Sequence, residues 1–210
     1  MSAPDFSLEL ADLREFPAWE VLLSPDEAQR AAAMTNPALR ARFVVSRGMR
    51  RKFLGKALGL DPGILQFAEA EGAKPRLSAN HGWDFNLSHA GDYVVLAIGR
   101  GDVGVDLEKM RPVREMAALA DRYFHADEAA AWRAVPAGRQ EAAFFVLWSA
   151  REAAMKCTGT GLARGLAQTR VDPVILESDR AAGVVGRREV LLRKEPAPAG
   201  YVLVTARMVS

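Results

Sequence analysis

The chain has 210 residues, half of them hydrophobic and 26% charged, enough to bury a core in one large domain or two small packed ones. A formal net charge of only +2, with a pI near 8.8, is too slight to argue for nucleic acid and leaves room for an acidic partner or a phosphorylated ligand. A single cysteine, Cys157, excludes an intramolecular disulfide and any CxxC-type zinc site, and no apolar run approaches the roughly 18 residues of a membrane span. Met1-Ser-Ala-Pro-Asp-Phe shows neither a basic n-region nor an apolar h-region, so no secretory signal is expected and a soluble, cytoplasmic monomer is the default.

Ser24-Pro-Asp-Glu reads as an N-cap followed by proline at the first helical position and acids in the first turn. Its helix is predicted through Arg30 to about Met34, with an interruption at Asn36-Pro37. Leu39 to Leu58 is a longer predicted helix, rich in Arg on one side and carrying Phe43, Val44, Met49, Phe53, Leu54 and Leu58; Gly59-Leu-Asp-Pro-Gly ends it. Ile64 to Phe67 is a predicted short strand, Gly72-Ala-Lys-Pro a turn, and Phe85 to Leu87 a short extended segment. Tyr93-Val-Val-Leu-Ala-Ile and Val103 to Glu108 read as strands on either side of the Gly101-Asp turn. Helices are predicted over Val113 to Tyr123, Asp127 to Val135 and Glu141 to Lys156, and Gly159-Thr-Gly-Leu breaks the last. Strands around Arg170-Val-Asp, Val190 to Leu192 and Tyr201 to Arg207 complete an α+β pattern. Gly91-Asp-Tyr-Val-Val-Leu-Ala echoes Ala199-Gly-Tyr-Val-Leu-Val-Thr-Ala, which either a duplicated α+β unit meeting near Gly101 or a chance similarity of two buried strands produces.

Asp106 and Glu108 lie two apart in Val103-Gly-Val-Asp-Leu-Glu, on one face of the strand. The pattern fits the polar end of an ordinary strand, yet two like charges on one face repel and favour a cation between them. Mg²⁺ suits oxygen ligands and substrate phosphates, and no Cys/His cluster competes for a softer metal. Glu152 and Lys156 are four apart on one helical face; as a surface pair they are worth only about 0.2–0.5 kcal/mol. Trp148 and Phe144 precede them on the same stripe and turn it inwards, where an unpartnered charge is costly. A metal beside Glu152 and a phosphate beside Lys156 resolve that cost.

Ser88 and His89 are neighbours in an extended segment and diverge, which argues against a nucleophile–base pair. They suit donors to an anionic ligand, the alternative being a structural histidine. Arg40, Arg42, Arg47, Arg50, Arg51 and Lys52 share one helix; most are expected on the solvated surface, with one or two reaching a phosphate. Lys74 stands before Pro75 in a turn, Gly159-Thr-Gly-Leu fits neither a Walker A nor a GxGxxG pattern, and Cys157 reads as an inert apolar residue.

Phe85-Asn-Leu-Ser-His89, Gly104-Val-Asp-Leu-Glu-Lys109 and Trp148-Ser-Ala-Arg-Glu-Ala-Ala-Met-Lys156, in that order, resemble the 4′-phosphopantetheinyl transferases of the surfactin-synthetase-activating type. The resemblance runs from about Leu23 to Val171 and takes in Gly72-Ala-Lys-Pro75 and Gly159-Thr-Gly-Leu162. It implies an α+β fold of two similar halves related by a pseudo-twofold, 1–101 and 102–210, the second carrying the metal-binding acids. By position, Asp106, Glu108 and Glu152 match the Mg²⁺ ligands, and Glu152 is also the implied base, directly or through a water. Lys156 matches a residue that steadies the pyrophosphate and protonates the leaving phosphate. Lys74, Ser88 and His89, with Asp106 and Lys156, match coenzyme A contacts, and Arg42 matches the arginine gripping its 3′-phosphate, with Arg47 as an alternative. Arg151 stands where the family commonly has lysine, and so does Glu27, with Arg30 a turn later.

The implied reaction transfers the 4′-phosphopantetheine arm of coenzyme A to a serine hydroxyl of an apo acyl or peptidyl carrier protein, with Mg²⁺, releasing adenosine 3′,5′-bisphosphate. Fatty-acid, polyketide or nonribosomal peptide synthesis are the pathways such carriers serve. The stretch from Met110 to Phe124 is expected either to dock the carrier or to pack in the core. Rival readings are a Mg²⁺-dependent pyrophosphohydrolase of coenzyme A or a nucleotide, and a non-catalytic carrier-protein or coenzyme A binding module.

Overall fold

A computed structural model describes residues 5–68, 73–79 and 82–209, and the chain divides into two units, Met1–Gly101 and Asp102–Ser210. Each is α+β, with antiparallel sheet.

The first unit begins with a strand that the sequence reading lacks, β1 (Phe6–Asp12). Asp12 accepts from the Arg14 N–H and opens a 3-10 segment over Leu13–Leu22. Ser24 caps α1 (Pro25–Ala32) with a full capping box: its Oγ accepts from Glu27 N at 3.3 Å, and Glu27 accepts from Ser24 N at 2.9 Å. Asn36-Pro37 does not merely interrupt; it starts α2 (Pro37–Leu58). The Asn36 side-chain Oδ1 accepts from the Ala38 and Leu39 N–H groups, and proline takes the first position, where its missing N–H costs nothing.

Ile64 sits in a short 3-10 turn, so the strand expected there begins only at β2 (Phe67–Ala68), which pairs with β3 (Arg76–Leu77). Gly72 of the expected turn lies outside the described residues. β4 (Trp83–Ala90) and β5 (Tyr93–Arg100) form a hairpin, and β1 completes the order β1-β5-β4. β4 is longer than expected, so Asn86-Leu-Ser-His89 lies inside a strand and not before one. Val44, Val45, Met49 and Leu54 of α2 share a core with Phe85, Val94, Leu96 and Ile98.

In the second unit β6 (Val103–Lys109) is followed by α3 (Met116–Tyr123), α4 (Ala126–Ala134) and the long α5 (Ala137–Thr158). Gly159, at φ 67°, takes the left-handed conformation that stops α5. α6 (Leu162–Gln168), read from sequence only as a breaker, leads into β7 (Thr169–Val171). β8 (Arg180–Val185), also not expected, β9 (Arg188–Glu195) and β10 (Tyr201–Met208) follow, giving the antiparallel order β6-β10-β9-β8-β7. β8 hides in sequence because Arg-Ala-Ala-Gly has little strand propensity, yet its residues alternate strictly between exposed and buried. α5 lies across the sheet, and Ala150, Ala153, Ala154, Phe144 and Leu147 join Val190, Leu192, Val204 and Ala206 in the core. Among the described residues no helix is long and apolar enough to cross a membrane.

Candidate active site

The second unit gathers the charged residues that the sequence singles out. Gly104, Asp106 and Glu108 share one face of β6 because side chains two apart in a strand point the same way. α5 crosses that face at Gly104. A Cβ added to Gly104 would meet the Ala153 carbonyl oxygen and the Cys157 nitrogen well under 3.0 Å, and the Cys157 Cα at 2.9 Å. All three are helix backbone, so only glycine permits this approach.

The closeness puts the side chains of α5 within reach of the strand. Lys156 Nζ donates to Asp106 Oδ1 at 2.5 Å and lies 3.5 Å from Glu152 Oε2, one helical turn back. Asp106 is 2% exposed, whereas the Lys156 side chain keeps 29% of its surface. Phe144 stacks on Trp148 with ring centroids 6.1 Å apart, and Tyr123 meets Trp148 edge-on. Trp148 in turn hydrogen-bonds Glu152, so the aromatic stripe leads directly into the charged cluster.

Three carboxylates share this space with one ammonium. Burial, then the charges of Asp106 and Glu152, push Glu108 up to about 7, against the weaker pull of Arg111 and Lys156. Glu152 is raised by burial and by Asp106, with Lys156 and the Trp148 hydrogen bond opposing. Burial works to lower Lys156, but Asp106 and Glu152 outweigh it and hold the amine above its ordinary value. The site therefore has an excess of negative oxygen donors, the chemistry that a hard divalent cation satisfies. The expected metal ligands are nevertheless not drawn into a metal-binding group: among the described residues no set of three His, Cys, Asp or Glu is gathered to hold an ion. Lys156 stands between Asp106 and Glu152 and serves as their counter-ion.

Arg151, inside the same helix motif, turns away from this cluster. It is 1% exposed and its Nη1 reaches both oxygens of Glu128, at 3.0 and 2.7 Å, while Nη2 donates to the Leu166 carbonyl. Glu128, fully buried, also accepts from Val171 N at 2.6 Å and His125 N at 2.9 Å. Sequence reasoning did not find Glu128. His125-Ala-Asp-Glu128 does form a capping box, but nothing in the chain announces its partner 23 residues on.

The remaining candidates belong to the first unit. Ser88 is buried on the same face of β4 as Asp84 and Asn86, and His89 is exposed on the other, so the two do diverge. Lys74 is ion-paired to Asp84 with both side chains 6% exposed, and Arg76 Nη1 lies 3.8 Å from the same carboxylate. Arg42 is half-buried on α2. Arg47 and Arg30 flank the Phe43 ring at 5.1 and 5.3 Å.

Two arginines of the basic cluster, most of which was expected at the surface, are core residues. Arg50 Nη2 and Arg51 Nε each reach Glu27 at 2.7 Å, and Arg51 also donates to the Pro62 and Leu65 carbonyls. Burial works to raise Glu27, but hydrogen bonds from Arg51, the Ser24 N–H and Arg50 hold it at about 2. Glu27 is thus a structural anchor. In the stretch from Met110 to Phe124, Met116, Leu119 and Tyr123 pack against the core, which favours packing over docking. Cys157 is buried with its Sγ 3.3 Å from the Asp102 carbonyl, as an inert residue would be.

Comparison with known proteins adds to this geometry. Residues 102–198 match the model of the 4′-phosphopantetheinyl transferase superfamily, and residues 12–100 match that of the 4′-phosphopantetheinyl transferase N-terminal region. The chain is 35% identical over 164 residues to the 4′-phosphopantetheinyl transferase HetI of Nostoc sp., covering 74% of this chain and 69% of that one. It is 46% identical over 99 residues to psf-1 of Bacillus pumilus, a 4′-phosphopantetheinyl transferase, across 47% of this chain but only 42% of the relative. Against the 4′-phosphopantetheinyl transferase Sfp of Bacillus subtilis, identity is 30% over 152 residues and 67% of each chain is covered.

Proposed function

This chain belongs to the 4′-phosphopantetheinyl transferase superfamily, an enzyme family, and from that premise we propose that it moves the 4′-phosphopantetheine arm of coenzyme A onto a serine of an apo carrier protein. The observation that carries the reading is the cluster in the second unit, where Lys156 stands between Asp106 and Glu152 with Glu108 beside them. Asp106, Glu108 and Glu152 are the residues that would hold Mg²⁺, which when bound supplies charge to neutralise the pyrophosphate and its departure.

The chain's own residues do the rest. Glu152, held above its ordinary value by burial and by Asp106, accepts the proton of the carrier serine hydroxyl, directly or through a water. The serine oxygen forms a bond to the pantetheine-side phosphorus as the pyrophosphate P–O bond breaks, and adenosine 3′,5′-bisphosphate leaves. Lys156, kept protonated by its carboxylates, donates to the leaving phosphate and can pass it a proton. Arg42, Lys74, Ser88 and His89 are the coenzyme A contacts in this reading. Asp84 holds the Lys74 amine in place, so that little side-chain entropy is left to lose on binding. The enzyme works in the cytoplasm as a monomer.

The test is mass spectrometry of apo acyl and peptidyl carriers after incubation with coenzyme A and Mg²⁺. A gain of about 340 Da, one phosphopantetheine arm, is the expected product of group transfer. Release of adenosine 3′,5′-bisphosphate without any carrier would instead identify a pyrophosphohydrolase. Full activity in Glu152→Gln would remove the assigned base.

A further inference from the structure

We propose that Arg151 and Glu128 are positioning residues for the reaction: their buried pair fixes the rotation of α5 about its own axis and so aims Glu152 and Lys156 at Asp106. The inference rests on reading the carboxylate–ammonium cluster as the reaction centre.

α5 needs such a device. Its approach to β6 is set at Gly104, where backbone meets backbone. That contact fixes distance more than roll, because at Gly104 the strand offers no side chain to key into the helix. Where it crosses β6 the core-facing residues of α5 include Ala150, Ala153 and Ala154, which are small and offer little rotational register, while the bulky Phe144, Phe145 and Leu147 lie a turn or more upstream. Arg151 supplies what they lack. Its planar fork is directional, and its partners come from three different places: Glu128 on α4, the Leu166 carbonyl on α6 and, through Glu128, the His125 N–H at the start of α4 and the Val171 N–H of β7.

Arg151 immediately precedes Glu152, so the torque it resists acts directly on the catalytic turn. A roll of about 10° displaces a side-chain end some 5–6 Å from the helix axis by about 1 Å. Misplacement of that size costs on the order of 10²-fold at a positioned centre. The 2.5 Å contact between Lys156 and Asp106 would open with the same motion.

The experiment compares Arg151→Met, Arg151→Lys and Glu128→Gln with the parent enzyme by steady-state transfer to an apo carrier, each variant first shown to be folded by circular dichroism at the assay temperature. Arg151→Met is expected to lower kcat by about 10- to 100-fold with KM for coenzyme A within about twofold. Arg151→Lys, which keeps a charged donor to Glu128, is expected to recover most of that loss. A folded Arg151→Met with parental kcat overturns the proposal, because a pair that only stabilises the core leaves turnover of the folded molecule unchanged. If Arg151→Met does not fold, Glu128→Gln carries the same comparison, with lowered kcat expected and parental kcat overturning. Glu152→Gln assayed in parallel keeps the two readings distinct. Its full activity removes the reaction centre and the positioning role together, whereas an inactive Glu152→Gln beside a fully active, folded Arg151→Met removes the positioning role alone.

Discussion

Replacing Gly104 with alanine tests the contact on which the whole second-unit site is built. The added Cβ would lie far inside the 3.4–4 Å range of ordinary contact with the Ala153 carbonyl oxygen and the Cys157 nitrogen. Neither atom belongs to a side chain that can change rotamer, so the helix itself must lift, by about 1 Å in a close-packed interior. Overpacking usually costs about 1–3 kcal/mol and occasionally more, and a clash with helix backbone belongs at or above the top of that range. For a chain of this size each kcal/mol lowers Tm by about 2–4 °C, so a fall of about 6–12 °C is expected. The same lift separates Lys156 from Asp106, and turnover should drop by on the order of 10²-fold even well below the new Tm. Thermal unfolding and carrier-modification rates on the same preparation read both effects. A Gly104→Ala protein within about 2 °C of the parent Tm and close to the parent rate would refute the reasoning, since the clash would then be absorbed without moving α5.

Other outcomes follow from the charges. Glu108 binds its proton up to about pH 7 when folded but only to its ordinary 4.5 when unfolded, so between those values the folded state holds more protons and stability falls as pH rises. In metal-free protein, Tm should therefore decline from pH 5 to pH 7.5, and Glu108→Gln should flatten that slope; an unchanged slope in the variant would contradict the assignment. Lys156→Met removes the internal counter-ion of Asp106 and Glu152, and calorimetry should find Mn²⁺ binding to the coenzyme-A-free enzyme tightened by at least about tenfold, or 1.4 kcal/mol. Equal or weaker binding would mean that the amine and the metal do not compete. Glu27→Ala removes the carboxylate that Arg50 and Arg51 share in the core, a loss of about 3–5 kcal/mol that denaturant titration should show; a loss below about 1 kcal/mol would mean that the pair is solvated in solution.

What could be read from the sequence divides along a physical line. Ser24-Pro-Asp-Glu27, the Asp106/Glu108 pair and the Glu152/Lys156 pair are local patterns whose geometry follows from strand and helix periods, and the structure brings the last four together. Arg151 and Arg51 show the limit. Their meaning depends on Glu128 and Glu27, each more than 20 residues away, and a charged side chain in a helix looks the same from sequence whether it faces water or a buried acid. β1 and β8 are not legible in the sequence because short, partly polar strands are decided by pairing with neighbours and not by their own residues. Gly104 shows no role in its sequence motif, since only the helix passing over it reveals why a side chain is excluded there.

Cys157 gives the second unit a built-in reporter. It is the chain's one cysteine, its backbone lies under Gly104, and its thiol points to the Asp102 carbonyl. A thiol reagent can reach it only when β6 and α5 part, so labelling kinetics would report local opening of the one joint that holds all four charged residues, separately from global unfolding. Ligands that bridge the strand and the helix should slow labelling, and those that bind elsewhere should leave it alone. The residue with the least chemistry in the motif thus offers a direct measure of how often the site comes apart.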